Sequence, residues 1–567
     1  MNLTDLVLSR PFQTRNADEF PDENILELFV DPTNGVSGPF DYANEIIKGK
    51  MGTGKTMYLR ANYNYHLSVL VPQMMDREPL VLPLYIRLSD FQNEHDPEKI
   101  YDKVIIKLIK EILTTSDRLQ SAAELVKLHT GIKNDLFGIW HKQEGQKAII
   151  EKINKLTAEE YTERIGVELQ TKGTVGYKFV EACATYGETA FLELKKKERP
   201  QISDVVFAYE TILRPIDCRL LILFDEVGSI DKCFFEENGN ASHFETLLNQ
   251  LRTLDFVRTK IAVYPHTHAD VLTETRYGDV VTLEDNIYSP NGYDDFLAKT
   301  ISVAEKYISA GASCQLPIEY AFDVSQSNMQ LLEQIIYASD GNMRRLVQVL
   351  DATLNECYKR CQATERANIE DAVAAIVGQA EKMERLYDGE DLEYLKNIVA
   401  VCRKRTAYRF KFPNRSLTLS KYINKSAEYN ILKVREQGAG RRGTTYWFDY
   451  AYCIYADIPT HYQFNSERIA RSRSKSEGDW ITTVTTITDE LITQARIPGK
   501  IDGTISFLGA EKGAGFIAGE DGKTFFFTLN LIIKDDRNKP LTTGRKVRFI
   551  PAPFDDETMM ACEIELL

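Results

Sequence analysis

Short apolar runs alternate with amphipathic helical patterns over the first half of the chain. The runs EII (45–47), LVLPLYI (80–86), LLILF (220–224) and KIAVYP (260–265) have the length and hydrophobicity of strands buried in a parallel sheet. After the first run, TMYLRANYNYHL places its apolar residues at helical spacing, and EKIYDKVIIKLIKEIL does so after the second. The alternation predicts an α/β domain built on a parallel sheet.

A further block of helical pattern separates the second and third runs. Residues 98–210 carry amphipathic stretches such as TAEEYTERIGVELQ, with few prolines or glycines and no low-complexity tract. We therefore expect a folded helical insertion over about residues 95–212. It carries no recognisable chemistry, and its predicted use is a surface for a partner.

Chain length and composition exclude several classes of protein. A chain of 567 residues is too long for one hydrophobic core, since cores stop growing near about 250–300 residues. The nine cysteines form no CxxC pair and no Cys/His cluster with zinc spacing, so neither a disulfide framework nor a structural metal site is expected. No stretch approaches the roughly 20 apolar residues of a membrane span, and the N-terminus lacks a signal-peptide pattern. A soluble, cytoplasmic, multidomain protein is predicted.

Charge is distributed unevenly along the chain. The total of −14 at pH 7 argues against indiscriminate coating of nucleic acid. Residues 402–445, however, hold twelve Lys or Arg and two Glu, a net +10 that leaves −24 for the rest of the chain. With Tyr408, Phe410, Tyr422 and Tyr446 interleaved, this basic segment favours nucleic-acid binding. A solvated basic face, or docking on the acidic remainder, is the alternative.

A phosphate-binding motif follows the first apolar run. Residues 49–56 read GKMGTGKT, a complete GxxxxGK[ST] pattern between a strand pattern and a helix pattern, as the motif requires. Glycines let backbone N–H groups turn toward phosphates, Lys55 neutralises phosphate oxygens and the Thr56 hydroxyl is offered to Mg²⁺. ATP and Mg²⁺ are the predicted cofactors. The predicted nucleotide-binding residues are Gly49, Lys50, Met51, Gly52, Thr53, Gly54, Lys55, Thr56 and Met57.

Two acidic residues, Asp225 and Glu226, end the third run. They would lie at the carboxyl end of a parallel strand, where ligands bind in such sheets. Beside a phosphate loop, we expect Asp225 to hold Mg²⁺ and Glu226 to orient and deprotonate the attacking water. The alternative is a strand that ends in two solvated acids.

Together these motifs resemble the AAA+ superfamily of ATPases and, within it, the origin-recognition and replication-initiator branch, including its prokaryotic members. The resemblance extends to ASDGNMRRLVQVLDATLNECYKR at 338–360, where the family has a helical lid with a Gly-x-x-Arg pattern. The resemblance implies that Arg344 reaches back to the γ-phosphate. A surface arginine on an ordinary helix is the alternative.

The same resemblance implies two further catalytic residues besides Lys55, Glu226 and Arg344. This enzyme class places a γ-phosphate sensor at the tip of the strand 260–265, where His266 is the candidate and Thr267 the second. An ordinary loop, or a His-x-His metal pair that lacks further ligands nearby, is the alternative. Arg276, in LTETRYGDVVTL, stands where such ATPases carry an arginine that reaches a neighbouring subunit's nucleotide. A structural role is equally open, so a homo-oligomer is a hypothesis.

The basic segment resembles the winged-helix domain of the same branch. Helical patterns at DLEYLKNIVAVCRKRTAYRF and SLTLSKYINK precede two strand patterns around the tip EQGAGRRGTT. The tip would be the wing, with Arg441 and Arg442 reaching for phosphate or a minor groove. Lys421 and Lys425 would lie on the helix that reads a groove.

Past a charged, serine-rich stretch at 461–498, which is typical of a linker, the tail resembles a cold-shock domain, a five-stranded barrel of the OB type. Such domains stack bases on exposed aromatic rings, each worth roughly 1–3 kcal/mol. Phe507, Phe516 and Phe526 occupy matching positions, and Lys512 adds positive charge. The positions that lack the family's aromatic residue are Leu508, Ala514, Thr528 and Leu529. Residual nucleic-acid contact and a protein-contact module are both open.

The sequence therefore predicts a multidomain α/β protein whose central activity is ATP binding and hydrolysis coupled to conformational change and to nucleic-acid binding, DNA more than RNA. The alternatives are a signalling or anti-phage defence ATPase that controls a separate effector protein, and a transposition or replication-loading ATPase. The predicted domains are a P-loop AAA+ core with its insertion (1–290), a helical lid (291–385), a winged helix (386–460), a linker (461–498) and an OB-type barrel (499–567).

Overall fold

The computed structural model describes residues 2–33, 38–76, 78–130, 200–236, 242–264, 272, 274–325, 329–404, 407–412, 417–423, 429–436, 443–458, 484–487, 500–509, 513–533, 536, 539–553 and 559–567. These ranges form an N-terminal sheet domain, a helical domain, a domain that contains a β-hairpin, and a C-terminal barrel. Within them, no helix is both long and apolar enough to cross a membrane.

A parallel sheet of five strands forms the centre of the N-terminal domain, as the apolar runs predict. Its strands are β1 Glu45–Lys48, β2 Leu80–Arg87, β3 Cys218–Asp225, β4 Val257–Val263 and β5 Asp279–Thr282. Their order is β2-β3-β4-β1-β5, with parallel pairing throughout. The run from Leu220 to Phe224 in β3 is fully buried, because apolar side chains pack on both faces of the sheet.

Helices precede and connect these strands in the described part of the chain. They are α1 Leu3–Ser9, α2 Asp22–Leu28, α3 Lys55–Ser68, α4 Leu70–Asp76, α5 Pro97–Thr130, α6 Ile202–Ile212, α7 His243–Arg252 and α8 Glu274–Tyr277. The helix α5, predicted as the start of an insertion, packs against β2, α4, α6 and α7. It therefore belongs to the core of the domain, and residues 131–199 of the predicted insertion lie outside the described residues.

The helical domain follows β5. Its helices are α9 Pro290–Ala312, α10 Gln330–Ser339, α11 Met343–Cys361 and α12 Ile369–Glu384. The N-terminus of the chain packs on this domain as well, since α1 contacts α9 and α11. Arg10 and Arg15 both bind Asp351 of α11, at 3.2 and 3.0 Å, and Phe12 stacks on Tyr307 of α9 with 5.6 Å between ring centroids. The first residues thus connect the sheet domain to the helical domain.

The hairpin domain combines two helices with a small sheet. Its elements are α13 Gly389–Lys404, β6 Arg409–Phe412, β7 Leu432–Glu436, β8 Thr444–Phe448, α14 Tyr450–Tyr455 and β9 Val484–Thr486. The sheet order is β7-β8-β6-β9, and β9 runs parallel to β6. The prediction of a linker over 461–498 is therefore wrong at β9, where β-branched residues complete a sheet. The predicted helix SLTLSKYINK is a short 3₁₀ helix, Leu417–Tyr422.

Four aromatic residues of the basic segment lie inside this domain. Tyr408, Phe410, Tyr422 and Tyr446 are at most 2% exposed, and Phe410 stacks on Tyr446 with 5.6 Å between centroids. Their interpretation as a feature of a nucleic-acid surface is wrong, because all four rings pack in the apolar core that the hairpin domain shares with the helical domain. Of the described basic residues between them, Lys411 is exposed, Lys421 pairs with Asp391, and Lys433 pairs with Asp340 and Asp449.

The tail is a closed barrel of five strands, as predicted. Its strands are β10 Ile501–Leu508, β11 Ala514–Gly519, β12 Thr524–Thr528, β13 Lys546–Pro553 and β14 Met559–Leu566, in the order β10-β11-β12-β14-β13. The pairing of β10 with β11 shifts register between Ile505 and Phe507. A Cβ on Gly515 would lie 2.3 Å from the carbonyl oxygen of Phe507, so this close approach of two strands requires glycine.

A buried ion pair joins the helical domain to the hairpin domain. Arg345 of α11 donates to both carboxylate oxygens of Asp449, at 2.8 and 2.5 Å, and the two residues are 1% and 0% exposed. Asp449 also accepts the Ala451 N–H at the start of α14, and Lys433 of β7 contacts the same carboxylate at 2.8 Å. Burial raises the pKa of Asp449, but the attraction of Arg345 and Lys433 outweighs burial and holds that pKa far below its ordinary value.

Asp449→Asn should destabilise the protein strongly, because it leaves the buried Arg345 without its full counter-charge. We expect a loss of about 3–5 kcal/mol at pH 7, measured by urea unfolding and followed by the fluorescence of Trp447 after replacement of Trp140 and Trp480 by Phe. The folded-state pKa of Asp449 is depressed, so its contribution is present above about pH 4 and is lost as the pH falls further. The difference between wild type and variant should therefore narrow in acid.

The control for this variant is Arg214→Met, which removes the exposed pair between Arg214 and Glu210. An exposed pair of this kind contributes about 0–1 kcal/mol. Equal losses in the two variants would contradict a special role for the buried pair.

Candidate nucleotide site

The phosphate loop, residues 49–56, connects the end of β1 to the start of α3. Gly52 and Gly54 have φ values of +84° and +97°, in the left-handed region that favours glycine. The Lys50 N–H donates to the Glu284 carboxylate at 2.9 Å. The loop is thereby held against the segment that follows β5.

Lys55 begins α3, and its side chain lies along the loop. Its Nζ donates to the carbonyl oxygens of Gly49 and Lys50 at 2.6 and 2.8 Å, and lies 4.1 Å from the ring centroid of Tyr264. Burial lowers the pKa of Lys55 to about 8, against the opposing attraction of nearby carboxylates. A bound phosphate would supply the negative charge that this buried ammonium group favours.

Two acids stand at the carboxyl end of β3, next to the loop. Asp225 is buried; one of its oxygens accepts the Glu226 N–H at 2.8 Å and the other accepts the Tyr85 hydroxyl at 2.5 Å. Glu226 has a φ of +54°, and its carboxylate accepts a hydrogen bond from the Ser89 hydroxyl. Sequence reasoning missed Tyr85 and Ser89. The signal that could have indicated them was their position near the carboxyl end of β2, the strand that pairs with β3.

A cavity of about 430 Å³ opens over the loop. Its wall includes residues 51–57, both acids at the end of β3 and Arg344 of α11. The apolar side chains of Phe29, Val303 and Tyr307 line it as well. The volume, and the combination of an apolar wall with a few charged groups, are typical of a small-molecule site.

The N-terminal segment forms one wall of this cavity, which sequence reasoning missed. Residues between 15 and 32 line the cavity. Arg60 of α3 holds this segment by donating to the carbonyl oxygen of Phe20 at 2.9 Å, and Arg87 at the end of β2 binds Asp18. No motif marks the segment, because its role depends on contacts that are distant in sequence.

The start of α11 is attached to the phosphate loop. The Arg344 N–H donates to the Gly52 carbonyl oxygen at 3.0 Å, and the Asn342 side-chain amide donates to the Met51 carbonyl oxygen at 2.7 Å. A Cβ on Gly52 would lie 2.6 Å from the Asn342 Oδ1 atom, which also caps α11 by accepting the Arg345 N–H. The structure thus brings Arg344, from the helical domain, to the cavity.

Of the other two residues implied by the resemblance, the structure describes only Arg276, which does not line this cavity. Arg276 lies on α8 before β5, where it is exposed and binds Glu245 of α7 at 2.9 Å. His266 and Thr267 lie outside the described residues. Tyr264, the first residue after β4, lines the cavity at this strand tip.

Thr56 and Asp225 both line the cavity. Their hydroxyl and carboxylate groups are the oxygen ligands that Mg²⁺ prefers. Among the residues that the structure describes, no group of three or more His, Cys, Asp or Glu residues could hold a metal ion. In nucleotide sites Mg²⁺ is usually bound by one or two protein ligands together with phosphate oxygens, and Thr56 and Asp225 would be those ligands here.

Of the residues predicted to contact nucleic acid, the structure describes Lys421 in the hairpin domain and three phenylalanines in the barrel. Lys421 is in the 3₁₀ helix that packs against β13 of the barrel, and it pairs with Asp391 of α13. Its charge is therefore partly neutralised within the protein. Outside the described residues lie Lys425, Arg441, Arg442 and Lys512.

A row of rings crosses the surface of the barrel. Phe507, Phe516 and Phe526 follow one another with 6.3 and 5.7 Å between centroids, and the first two are 56% and 38% exposed. Ala514 and Thr528, two positions that lack the family's ring, are paired across β11 and β12. The three rings thus follow one another across β10, β11 and β12, whereas this pair of positions on β11 and β12 has no ring.

The part of the chain that contains the phosphate loop matches a known protein family. Residues 10–156 match the family model described as ORC-CDC6-like, a range that includes the phosphate loop and β2. No curated protein matches the chain. A solved structure of the ORC2 protein of Aeropyrum pernix, in ADPNP and ADP complexes, is similar at 11% identity over 82% of this chain and 95% of that chain, with a TM-score of 0.31, which is too low to decide the fold. The segment that carries the phosphate loop is thus similar to ORC-CDC6-like proteins.

Proposed function

We propose that this protein is a Mg²⁺-dependent ATPase of the AAA+ class that couples ATP hydrolysis to conformational change and binds nucleic acid. The observation that carries the proposal is the convergence of the phosphate loop, both acids of β3 and Arg344 on one cavity of about 430 Å³. The similarity of residues 10–156 to ORC-CDC6-like proteins supports it. Phosphoryl transfer needs mainly positioning and charge stabilisation, which these groups supply.

Each residue has a distinct role in the proposed reaction. Glu226, oriented by the Ser89 hydroxyl, accepts the proton of the attacking water. Asp225, held by Tyr85, and Thr56 hold Mg²⁺, which when bound neutralises charge on the phosphate oxygens. Lys55 exchanges its two loop carbonyls for phosphate oxygens.

The energy of hydrolysis would change the position of the helical domain. Arg344 reaches the cavity from α11, whereas the phosphate loop belongs to the sheet domain. Loss of the γ-phosphate removes the negative charge that this arginine stabilises, so the two domains are held together less firmly after hydrolysis.

Glu226→Gln should keep ATP binding and lose turnover, because the amide keeps the size of the side chain but cannot accept a proton. We expect kcat to fall by about 10²–10⁴-fold, while the Kd for ATP, measured by calorimetry, changes little. Glu210→Gln, at an exposed position of α6, is the control and should leave both values unchanged. Full turnover in Glu226→Gln would refute this residue as the base.

A homo-oligomer in which Arg276 completes the neighbouring site predicts complementation. Arg276→Met subunits keep their own Glu226, and Glu226→Gln subunits keep Arg276, so a mixture should recover part of the turnover that each variant lacks. ATP hydrolysis would be measured at constant total protein, with light scattering to confirm mixed assembly. Mixed assemblies without recovery would assign Arg276 to its structural pair with Glu245.

The proposal assigns most of the nucleic-acid affinity to the tip of the hairpin and an auxiliary part to the barrel. The double variant Arg441→Glu, Arg442→Glu should weaken binding of nucleic acid. It should also reduce the magnitude of the slope of log K against log salt concentration by at least about two. The double variant Phe507→Ala, Phe516→Ala should weaken only the binding of single strands, by roughly 1–3 kcal/mol per ring. Fluorescence anisotropy with single-stranded DNA, double-stranded DNA and RNA provides the measurement, with Arg214→Glu as a control. If the intact protein bound none of these three nucleic acids, the result would contradict the nucleic-acid part of the proposal. It would favour a protein that controls a separate effector protein.

A further inference from the structure

The junction of α10 and α11, residues 340–345, touches both the nucleotide site and the hairpin domain. On one side, Asn342 donates to the carbonyl oxygen of Met51, and the Arg344 N–H donates to that of Gly52, at 2.7 and 3.0 Å. These are two consecutive residues of the phosphate loop. A change in the loop on nucleotide binding therefore reaches the junction directly.

On its other side the same junction is bound to the hairpin. Lys433 of β7 lies 2.6 Å from the Asp340 carboxylate and 2.8 Å from that of Asp449. Arg345 makes the paired bonds to Asp449 described above. Asp340 and Arg345 thus bind the hairpin domain, while Asn342 and the Arg344 N–H between them bind the loop. Separating Arg345 from Asp449 would leave buried charges uncompensated, so the two sides move together.

An aromatic contact extends the connection to β8. The Tyr288 hydroxyl donates to the Asp340 carboxylate at 2.6 Å, and its ring lies 4.6 Å from that of Trp447, centroid to centroid. Arg435, the next residue but one after Lys433, lies over the same indole ring at 4.7 Å. Trp447 therefore borders both the junction and the strand that leads to the hairpin tip.

The backbone of the junction has little room to absorb a displacement. Asp340 and Gly341 have φ values of +56° and +70°, and a Cβ on Gly341 would lie 2.7 Å from the carbonyl oxygen of Asp285. Close packing of this kind transmits strain instead of dissipating it. A shift at the loop is therefore passed to the hairpin side.

We propose that Asp340, Lys433 and Asp449 are positioning residues for Arg344, and that through them the occupation of the nucleotide site is coupled to the β7–β8 hairpin. This inference rests on the proposed function. The coupling is reciprocal: whatever ligand binds the hairpin changes the affinity for nucleotide by the same factor as the nucleotide changes the affinity for that ligand.

The test uses the full chain with Trp140 and Trp480 replaced by Phe, so that Trp447 is the only tryptophan. ATP with Mg²⁺, and separately ADP with Mg²⁺, should each change the emission of Trp447, with different amplitudes for the two nucleotides. Nucleotide affinity is measured in parallel by calorimetry, which does not depend on the reporter.

Two variants interrupt the coupling from opposite sides. Lys433→Met removes the hairpin contact, and Asn342→Ser removes the amide donor to Met51 but keeps an oxygen that can cap α11. In both, the emission change should be lost and kcat should fall by about 2- to 30-fold, with little change in KM or in nucleotide Kd. Lys500→Met, which removes an ion pair with Glu565 on the barrel, is the matched control and should behave as the parent chain.

The outcomes separate this inference from the function on which it rests. Failure of the parent chain to bind any nucleotide would overturn the proposed function and the coupling with it. Nucleotide binding without a response of Trp447, or a response that persists in both variants, would overturn the coupling alone. Should Lys433→Met fail to fold, as judged by circular dichroism, Asn342→Ser still decides the question.

Discussion

The contact between Arg345 and Asp449 is the interaction on which the arrangement of the protein depends. Both side chains are almost completely buried, so neither is stable in that position without the other. An apolar pair of the same size would tolerate small rotations of the helical domain against the hairpin domain. Two parallel N–H···O bonds to one carboxylate fix the relative orientation of the two side chains much more narrowly. Because Arg344 is the neighbouring residue, the same contact decides where the helical domain meets the phosphate loop.

The motifs of the candidate nucleotide site could be recognised because each of them is local in the sequence. The GKMGTGKT loop and the acids after LLILF each lie beside their own strand, so pattern and chemistry indicate the same place. Tyr85, Ser89 and the N-terminal wall could not be predicted in this way. Their roles depend on the strand order β2-β3-β4-β1-β5 and on contacts across the whole domain, which no local pattern contains.

The basic segment shows where residue patterns mislead. Aromatic residues between lysines and arginines suit a nucleic-acid surface, but on short strands they suit a core equally well, and Tyr408, Phe410 and Tyr446 are in the core. The barrel could be predicted because the spacing of glycine and phenylalanine in the tail resembles that of a cold-shock domain, and the structure has a closed barrel of five strands there. The strand β9 was missed since a three-residue strand within a polar stretch produces no periodicity of its own.

The pocket is complete only when the N-terminal segment is in place, because that segment forms one of its walls. Residues 15–32, 51–57 and 343–347 are brought together from three distant parts of the chain, and Arg15 and Arg60 attach the first of them to the helical domain and to α3. A fragment that begins at β1 would keep the phosphate loop but lack the wall of the pocket that the N-terminal segment forms. The pocket is therefore a property of the assembled chain, and a ligand within it would bridge segments that are hundreds of residues apart, much as a cross-link would.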